Sequence, residues 1–194
     1  MILDGEVVRL VPLEIDHVDA LCDVGFNAEI WRWMPTRVRD RGAMQAWVEE
    51  ALTAQGAGSA IPFATTLRDT GKVIGSTRFM NIDTSHRRAE IGATWIAPAW
   101  QRSRVNTEAK YLMLRYAFEG QQRRRVEFKT SSQNTKSRAA ILRLGATEEG
   151  TFRKHMIQED GSNRDTVYFS IVDDDWPTVK ARLETALARD GLRG

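Results

Sequence analysis

The chain has little of what marks a disulfide-stabilised, membrane-spanning or zinc-binding protein. Its 194 residues include a single cysteine, Cys22, which excludes an internal disulfide, and three histidines without zinc-ligand spacing. No stretch approaches the roughly 18 consecutive apolar residues of a membrane helix. The N-terminus has acidic residues where a signal peptide carries basic ones. We therefore expect one cytoplasmic domain over residues 1–194, with no metal ion and no membrane partner.

The net charge of +2 conceals an uneven distribution of charge along the chain. Residues 86–154 hold fifteen Lys and Arg against six Asp and Glu, whereas the remaining residues are acidic overall. Such an asymmetry indicates that one surface meets a polyanion. A nucleic acid, a membrane surface and a phosphorylated cofactor would each fit, as would a solvated basic face without a partner.

Hydrophobic periodicity and turn residues predict interleaved strands and helices. The predicted strands are Glu6–Val11, Ile61–Leu67, Val73–Ile82, Ala89–Ile96, Val126–Ser131, Thr151–Ile157 and Thr166–Val172. The predicted helices are Ile15–Gly25, Met44–Ala54, Thr107–Phe118, Lys136–Leu144 and a C-terminal helix at about 175–189. Trp31–Arg41 is predicted to be a loop, and Gly145 to end a helix. This order favours an α/β fold with a mixed sheet flanked by helices.

A polar, basic loop joins the strand that ends at Ile96 to the next helix. The first amides of a helix have no intrahelical acceptor and lie at the positive end of its dipole, so they bind anions readily. Arg102 and Arg104 add charged donors that suit phosphate oxygens, and Asn106 is a plausible N-cap. The alternative is an ordinary capped helix with exposed arginines.

A second helix opens at Asn134-Thr135-Lys136-Ser137, directly after another predicted strand. If the two preceding strands are parallel neighbours, both helix N-termini face one cleft. Asn134 would then hold an amide of an extended ligand, and Ser137 would project its hydroxyl into the cleft. Alternatively, Asn134 only caps the helix.

These motifs together resemble the GNAT acyl-CoA-dependent N-acetyltransferases, and among them the RimJ/RimL-type branch. The segments that carry the resemblance are Glu6–Leu13, Gly71–Gly75, Arg88–Gly92, Trp95–Lys110, Asn134–Arg138 and Leu144–Ala146. Each segment is weak evidence alone, but their order and spacing are specific. The resemblance implies a splayed mixed β-sheet of about seven strands, flanked by four to five helices, that holds acetyl-CoA between its two central parallel strands.

The resemblance also implies a role for individual residues. Backbone groups of Trp95, Ile96 and Ala97 would pair with the pantetheine arm, Asn134 would contact the same arm, and Ser137 would protonate the leaving thiolate. The loop that would cradle the pyrophosphate consists of Arg102, Ser103, Arg104, Val105, Asn106 and Thr107.

The sequence departs from the family pattern at two sites. In the phosphate loop, Arg104 and Asn106 occupy the positions of small residues, where glycine normally permits a positive φ. In the strand after the Leu144-Gly145 helix, Met156 stands where related enzymes carry a catalytic glutamate. Methionine cannot take a proton, so this chain needs another base.

Two residues are candidates for that base. An amine with a pKa near 10 is mostly ammonium at neutral pH, and only the free amine attacks a thioester. Glu90 lies on the strand before the phosphate loop; its alternative role is a surface charge or an ion pair with Arg88. His155 is next to Met156, but in a regular strand it would point to the opposite face. Tyr168 is an alternative proton donor to Ser137.

The acceptor side and the partners are less defined by the sequence. Trp31 and Trp33 lie where the family's first helices cover the acceptor groove, although Trp33 would serve equally well as core packing. A homodimer contact and core packing would each account for an apolar face on the C-terminal helix, formed by Trp176, Val179, Leu183 and Leu187.

The leading hypothesis is an acetyl-CoA-dependent N-acetyltransferase acting on a primary amine (a protein N-terminus, an amino acid or a small amine) by direct attack in a ternary complex. The alternative is a non-catalytic acyl-CoA-binding or regulatory module, which the altered loop and Met156 motivate. Nucleic-acid binding through Arg87, Arg88 and Arg123–Arg125 is disfavoured, because no aromatic platform or recognition helix accompanies these arginines.

Overall fold

The protein is built on one eight-stranded mixed β-sheet. The structure is a computed structural model that describes residues 1–191. Its strands are β1 Leu3–Asp4, β2 Val8–Pro12, β3 Ile61–Leu67, β4 Val73–Asp83, β5 Arg88–Ile96, β6 Arg125–Ser131, β7 Thr147–Ile157 and β8 Asn163–Val172. They are ordered β1-β2-β3-β4-β5-β6-β8-β7, and among these strands only β5 and β6 run parallel.

Six α-helices flank the sheet in the described part of the chain. They are α1 Val18–Gly25, α2 Ala28–Trp31, α3 Arg41–Gly56, α4 Arg104–Arg115, α5 Thr135–Leu144 and α6 Trp176–Gly191. The predicted α/β architecture is confirmed, with the short elements β1 and α2 added. Gly145 ends α5 with φ 105°, as predicted. Within residues 1–191, no helix combines the length and apolarity needed to cross a membrane.

The strand that was predicted to start at residue 6 starts at Val8, because a buried carboxylate accepts hydrogen bonds from the backbone amides at this point of the chain. Glu108 of α4 accepts hydrogen bonds from the N–H groups of residues 6, 7 and 8, at 3.0, 2.7 and 2.7 Å. A Cβ on Gly5 would lie 2.6 Å from Glu108 Oε2, so the chain has room here only for glycine. These bonds fix the N-terminus on α4 and delay pairing with β3 until Val8.

The apolar face of α6 is covered by the chain itself. Trp176, Val179, Leu183 and Leu187 are all buried, and the Trp176 ring stacks on Phe118 with the centroids 5.3 Å apart. Of the two roles considered for this face, core packing is therefore the one that the structure supports. Burial against α4 and the sheet explains its hydrophobicity.

The two parallel strands part after a short pairing. Arg88–Glu90 of β5 pairs with Arg125–Glu127 of β6, and no further pairing between them occurs in the described sheet. The β4–β5 register shifts opposite Ser76–Arg78, and Ala93 adopts φ 46°. A bulge of this kind bends its strand and increases its twist. The carboxyl ends of β5 and β6 therefore separate and leave a cleft.

Two hydrophobic cores support that cleft from opposite faces of the sheet. One packs α4, α5 and α6 against the sheet; the other packs α1, α2 and α3 around Trp95. In the second core, Trp31, Trp47 and Trp95 form a triangle with centroid separations of 5.5 to 6.2 Å. Large buried aromatic side chains contribute strongly to packing, so this triangle holds β5 against the helices beside the cleft.

Candidate active site

The cleft between β5 and β6 encloses a cavity of about 540 Å³. Its lining comes from residue 30, from residues 33–36 and from α3, β4, β5, α4, β6, α5, β7 and β8, so the cavity is assembled from most of the chain. The residues predicted from the sequence that line it are Trp33, Glu90, Asn106, Asn134 and Ser137.

At the start of α5, one asparagine both caps the helix and lines the cleft. Asn134 Oδ1 accepts the Ser137 N–H at 3.1 Å, which accounts for one free amide of the helix. Its Nδ2 has no hydrogen-bond partner within residues 1–191. Ser137 lies half-buried on the same wall. The capping interpretation and the ligand interpretation are therefore compatible.

The basic loop before α4 differs from its predicted form. Ser103, not Asn106, is the N-cap: its Oγ accepts the Val105 N–H at 3.3 Å, so the helix starts at Arg104. Asn106 lies within the first turn and faces the cavity. The positive φ falls at Arg102, 61°, rather than at the two positions where the family has small residues.

The other loop residues have separate roles in the structure. Arg104 forms an ion pair with Glu6 at 3.0 Å, and the Val105 side chain is buried in the core. Thr107 is half-buried in α4, and Arg102 is exposed. The exposed guanidinium of Arg102 and the backbone amides at the start of α4 are therefore the candidates for contact with an anion.

The part of β5 that lines the cleft is nearer the start of the strand than the sequence predicted. The Ala97 N–H donates to the Ile74 carbonyl at 2.8 Å, and its carbonyl accepts from Trp100 N at 2.9 Å, so neither group is free for a ligand. The Ile96 carbonyl accepts from Gln101 Nε2 at 2.9 Å. Trp95 pairs with β4, and its ring lies in the core. Instead, Gly92, Ala93 and Thr94 line the cavity, next to the bulge.

Glu90 is a buried acid in the cleft wall. Only 2% of it is exposed, which rules out the surface role considered above. Its Oε2 accepts from Asn81 Nδ2 at 2.8 Å and pairs with Lys129 Nζ at 3.1 Å, whereas Arg88 pairs with Asp83 and Glu127. Glu90 also borders a neighbouring cavity of about 730 Å³.

His155 lies outside the cleft, so the two candidate bases are separated. The β7–β8 register shifts between Phe152 and Met156, and Lys154 in this stretch has φ 49°. The His155 ring is exposed and contacts Phe152 and Tyr168, with centroids 5.4 and 5.6 Å away. Met156 lines the cavity, as its position predicted, while Tyr168 lines the neighbouring one.

The two tryptophans assigned to the acceptor side have different positions. Trp31 is 2% exposed, belongs to the tryptophan triangle and donates its indole N–H to the Gly25 carbonyl at 2.8 Å. It supports the cleft from the core, and the expectation of a substrate contact is wrong for this residue. Trp33 lines the cavity beside Met34 and Pro35.

Three buried basic residues of the cleft were missed in the sequence. Lys110 lies on the inner face of α4, where its Nζ donates to Thr94 Oγ1 at 2.6 Å and to Thr77 Oγ1 at 3.0 Å. Burial lowers the pKa of Lys110 to about 7. Arg78 and Arg164 also line the cavity. Two of these residues could have been found from the sequence, because Arg78 in β4 and Lys110 in α4 each interrupt a pattern of apolar or small residues.

The arginine cluster considered for nucleic acid is largely engaged within the protein. Arg87 donates to the Gln122 carbonyl, and Arg123 is buried against backbone carbonyls. Arg125 binds Glu127 at 2.8 Å and also pairs with Glu149. These contacts neutralise or bury most of the cluster.

Comparison with known proteins identifies acetyltransferases that are similar to this chain. Residues 8–147, more than half of the chain, match the model of the acetyltransferase (GNAT) domain family. YdaF of Bacillus subtilis strain 168, whose name describes it as a candidate ribosomal N-acetyltransferase, is 35% identical over 110 residues. That match covers 57% of this chain and 59% of YdaF, so it spans less than two thirds of the relative.

Solved structures agree with this match. A GCN5-related N-acetyltransferase from Brucella melitensis is 32% identical with a TM-score of 0.87, covering 96% of this chain and 85% of that one. Mycobacterium smegmatis RimJ, solved with CoA-disulfide, shares the fold with a TM-score of 0.80 at 24% identity, covering 95% and 91%. The protein therefore belongs to the GNAT acetyltransferase family, as its sequence motifs predicted.

Proposed function

We propose that the protein transfers the acetyl group of acetyl-CoA to a primary amine. The observation that carries this proposal is the cleft between diverging parallel strands, which combines two helix N-termini on one side with the buried Glu90 on the other. Family membership supports acyl transfer as the reaction class.

The residues of the cleft suit the extended, anionic form of acetyl-CoA. The open β5 edge at 92–94 and the free Nδ2 of Asn134 offer polar partners for the amides of a pantetheine arm. The amides at the start of α4 and the guanidinium of Arg102 suit phosphate oxygens. When bound, acetyl-CoA would supply the activated thioester.

The transfer needs a proton acceptor and a proton donor. Glu90, through a water or directly, takes the proton that an ammonium must lose before its nitrogen attacks the carbonyl carbon. As the C–N bond forms and the C–S bond breaks, the Ser137 hydroxyl donates a proton to the departing thiolate. It recovers one, directly or through water, from the nitrogen as that nitrogen becomes an amide. Glu90 and Ser137 line the same cavity, which supports this division of roles.

A covalent enzyme intermediate is not part of the proposal. The one cysteine, Cys22, lies on α1 and packs against the second core rather than lining the cleft. Burial raises the pKa of its thiol, which disfavours the nucleophilic thiolate. Direct attack by the bound amine requires no such group.

The test is a CoA-release assay with acetyl-CoA and a panel of amino acids, peptides and small amines. We expect turnover of at least one amine with intersecting double-reciprocal plots, as a ternary complex requires, and full activity in Cys22→Ser. Parallel plots together with an inactive Cys22→Ser would overturn direct attack. Binding of acetyl-CoA without transfer to any amine would instead favour the non-catalytic module, for which Met156 at the glutamate position is the supporting observation.

A further inference from the structure

The acceptor side of the cleft contains two buried arginines with unsatisfied nitrogens. Arg78 on β4 is 3% exposed and Arg164 on β8 is 7% exposed, and both line the cavity. Within residues 1–191, the Nε of each has no hydrogen-bond partner. Burying a charged group without full compensation is costly, so buried guanidinium groups normally have anionic partners.

Arg164 has no anionic partner of its own. Its Nη1 donates to the Trp33 carbonyl at 3.0 Å, and no carboxylate of residues 1–191 lies within 4.0 Å of it. Desolvation is the main influence on its pKa and lowers it, against a smaller opposing effect of the Glu90 carboxylate, which lies beyond ion-pair distance. Its cross-strand neighbour is Met156, the position at which related enzymes would carry a glutamate. At this point of the cleft, the chain therefore has a neutral methionine at the expected glutamate position and an arginine opposite it.

Arg78 is held in place but is incompletely paired. Its guanidinium stacks over the Trp47 ring at 4.6 Å from the centroid, which fixes its plane. Its one carboxylate neighbour in the described residues is Glu50, at 3.4 Å, whose side chain is 67% exposed and therefore well solvated. A rigid guanidinium with free N–H groups is suited to bidentate binding of a carboxylate.

The other charges of the cavity do not balance these two arginines. Glu90 is already engaged by Lys129, and Glu50 faces solvent. The acceptor side therefore has an excess of positive charge next to the acid that we assign as the base.

We propose that the amine acceptor carries a carboxylate, which Arg164 and Arg78 bind while the amine nitrogen faces Glu90. The inference rests on the proposed function, since it names the acceptor class of the same site. The carboxylate would come either from the α-carboxyl group of a free amino acid or from an acidic residue at the N-terminus of a peptide.

The first experiment uses the unaltered protein and matched acceptors. Free amino acids are compared with their amides, and peptides beginning with Asp are compared with the same peptides beginning with Asn. We expect kcat/KM to favour the acid of at least one pair by on the order of 10²-fold, because the uncharged analogue leaves buried charges unpaired. Preference within the amino-acid pair identifies a free amino acid, and preference within the peptide pair identifies an acidic N-terminus. Equal rates within both pairs would overturn the inference while leaving the proposed function intact.

Substitutions at position 164 then test whether Arg164 causes the preference for the acid over its amide. Arg164→Gln should raise the KM for the acid and reduce its advantage over the amide to a few-fold, with the KM for acetyl-CoA unchanged. Arg164→Lys should restore part of the preference. Arg182→Gln, on the exposed face of α6, is the matched control with the same charge change. A raised KM for acetyl-CoA in Arg164→Gln, with the acid preference retained, would assign this arginine to the donor instead.

A binding measurement keeps the test independent of turnover. Calorimetric titration of the CoA-loaded protein compares the N-acetylated amino acid and the N-acetylated peptide with their respective amide analogues. We expect tighter binding of the carboxylate within at least one pair, and loss of that difference in Arg164→Gln and in Arg78→Gln. Tighter binding of the carboxylate without acetylation of any amine would overturn the proposed function while supporting a carboxylate-binding site at the two arginines. Equal binding within both pairs would overturn that site.

Discussion

The two sides of the cleft are built from different chemical groups. The cofactor side, formed by the N-termini of α4 and α5 and by residues 92–94, offers backbone amides and neutral side chains such as Asn134. The acceptor side is formed by β4, the start of β5, β6, β8 and residues 33–36. It offers buried ionisable side chains, namely Arg78, Glu90 and Arg164. Backbone amides suit the phosphates of a donor that is the same in every reaction. Buried charged side chains instead discriminate between acceptors according to the charge that each acceptor carries.

Lys110 is the exception, because it is a basic residue on the cofactor side. Its pKa of about 7, lowered by burial, implies that it is largely neutral in the folded protein above neutral pH. Between pH 7 and 10.5, the unfolded lysine binds a proton that the folded one does not, so stability contributed by this site rises with pH across that window. Below pH 7, Lys110 is protonated in both the folded and the unfolded protein, so the free-energy cost of burying its charge no longer changes with pH.

The corresponding prediction has the largest expected effect. Lys110→Met removes the ionisable group, so the free energy of unfolding of the unaltered protein should rise relative to the variant by up to about 5 kcal/mol from below pH 7 to above pH 10. Denaturant unfolding at several pH values measures this difference. Lys72→Met, at an exposed turn, is the control. A difference that does not change with pH would mean that Lys110 stays charged, and the contrast between the two sides would fail.

The next prediction concerns the acid on the acceptor side. Glu90→Gln keeps the shape and the acceptor oxygen for Asn81 but cannot take a proton, so we expect kcat to fall by about 10²–10⁴-fold. Glu127→Gln is the matched control, because Glu127 is the register partner of Glu90 on β6 and lines only the neighbouring cavity. Steady-state kinetics on both variants provide the measurement. Comparable losses in the two would show that charge in this region, rather than a base at position 90, drives turnover.

On the cofactor side, the expected effects are smaller and fall on the donor. Asn134 both caps α5 and offers its Nδ2, and two substitutions separate these contributions. Asn134→Asp keeps a capping oxygen but loses the N–H donor, so the KM for acetyl-CoA should rise roughly tenfold with little loss of stability. Asn134→Ala should show the same kinetic change and also lose about 1 kcal/mol of stability.

Thermal unfolding and kinetics with varied acetyl-CoA make the comparison. If Asn134→Asp behaved like the unaltered protein while Asn134→Ala lost activity, the residue would be a cap alone. A change confined to the KM of the acceptor would reverse the assignment of the two sides.

The contrast between the sides also explains what the sequence could predict. The cofactor side depends on local signals: a strand, a polar loop and a helix start within a few residues, as at Asn134 and Ser137. Most strands and helices were located in the same way, from periodicity and turn residues. These signals suffice because the interactions they describe span only a few positions in the chain.

The acceptor side depends on contacts between distant elements, which no local pattern describes. Arg78 and Arg164 meet in one cavity although 86 positions separate them in the chain. Trp31 packs into a core that three helices share, although its place in the sequence favoured the acceptor groove. The delayed start of β2 likewise depends on Glu108, a hundred residues away. Tertiary contacts overrode the local pattern in each case.

The smallest predicted effect tests whether the phosphate loop works through its backbone or through charge. Arg102 has φ 61°, a conformation that costs a non-glycine residue about 1 kcal/mol or more. Arg102→Gly removes both the strain and the charge, while Arg102→Ala removes only the charge.

If the guanidinium binds phosphate, calorimetry should show acetyl-CoA affinity lowered a few-fold in both variants, with the loss diminishing at high salt because exposed charges are screened. If the backbone amides alone bind the phosphates, Arg102→Ala and Arg102→Gly should both bind acetyl-CoA as well as the unaltered protein. The first result would add an ionic contribution to the cofactor side and narrow its difference from the acceptor side. The second would sharpen the contrast, since even the most basic loop of the cofactor side would then bind through amides.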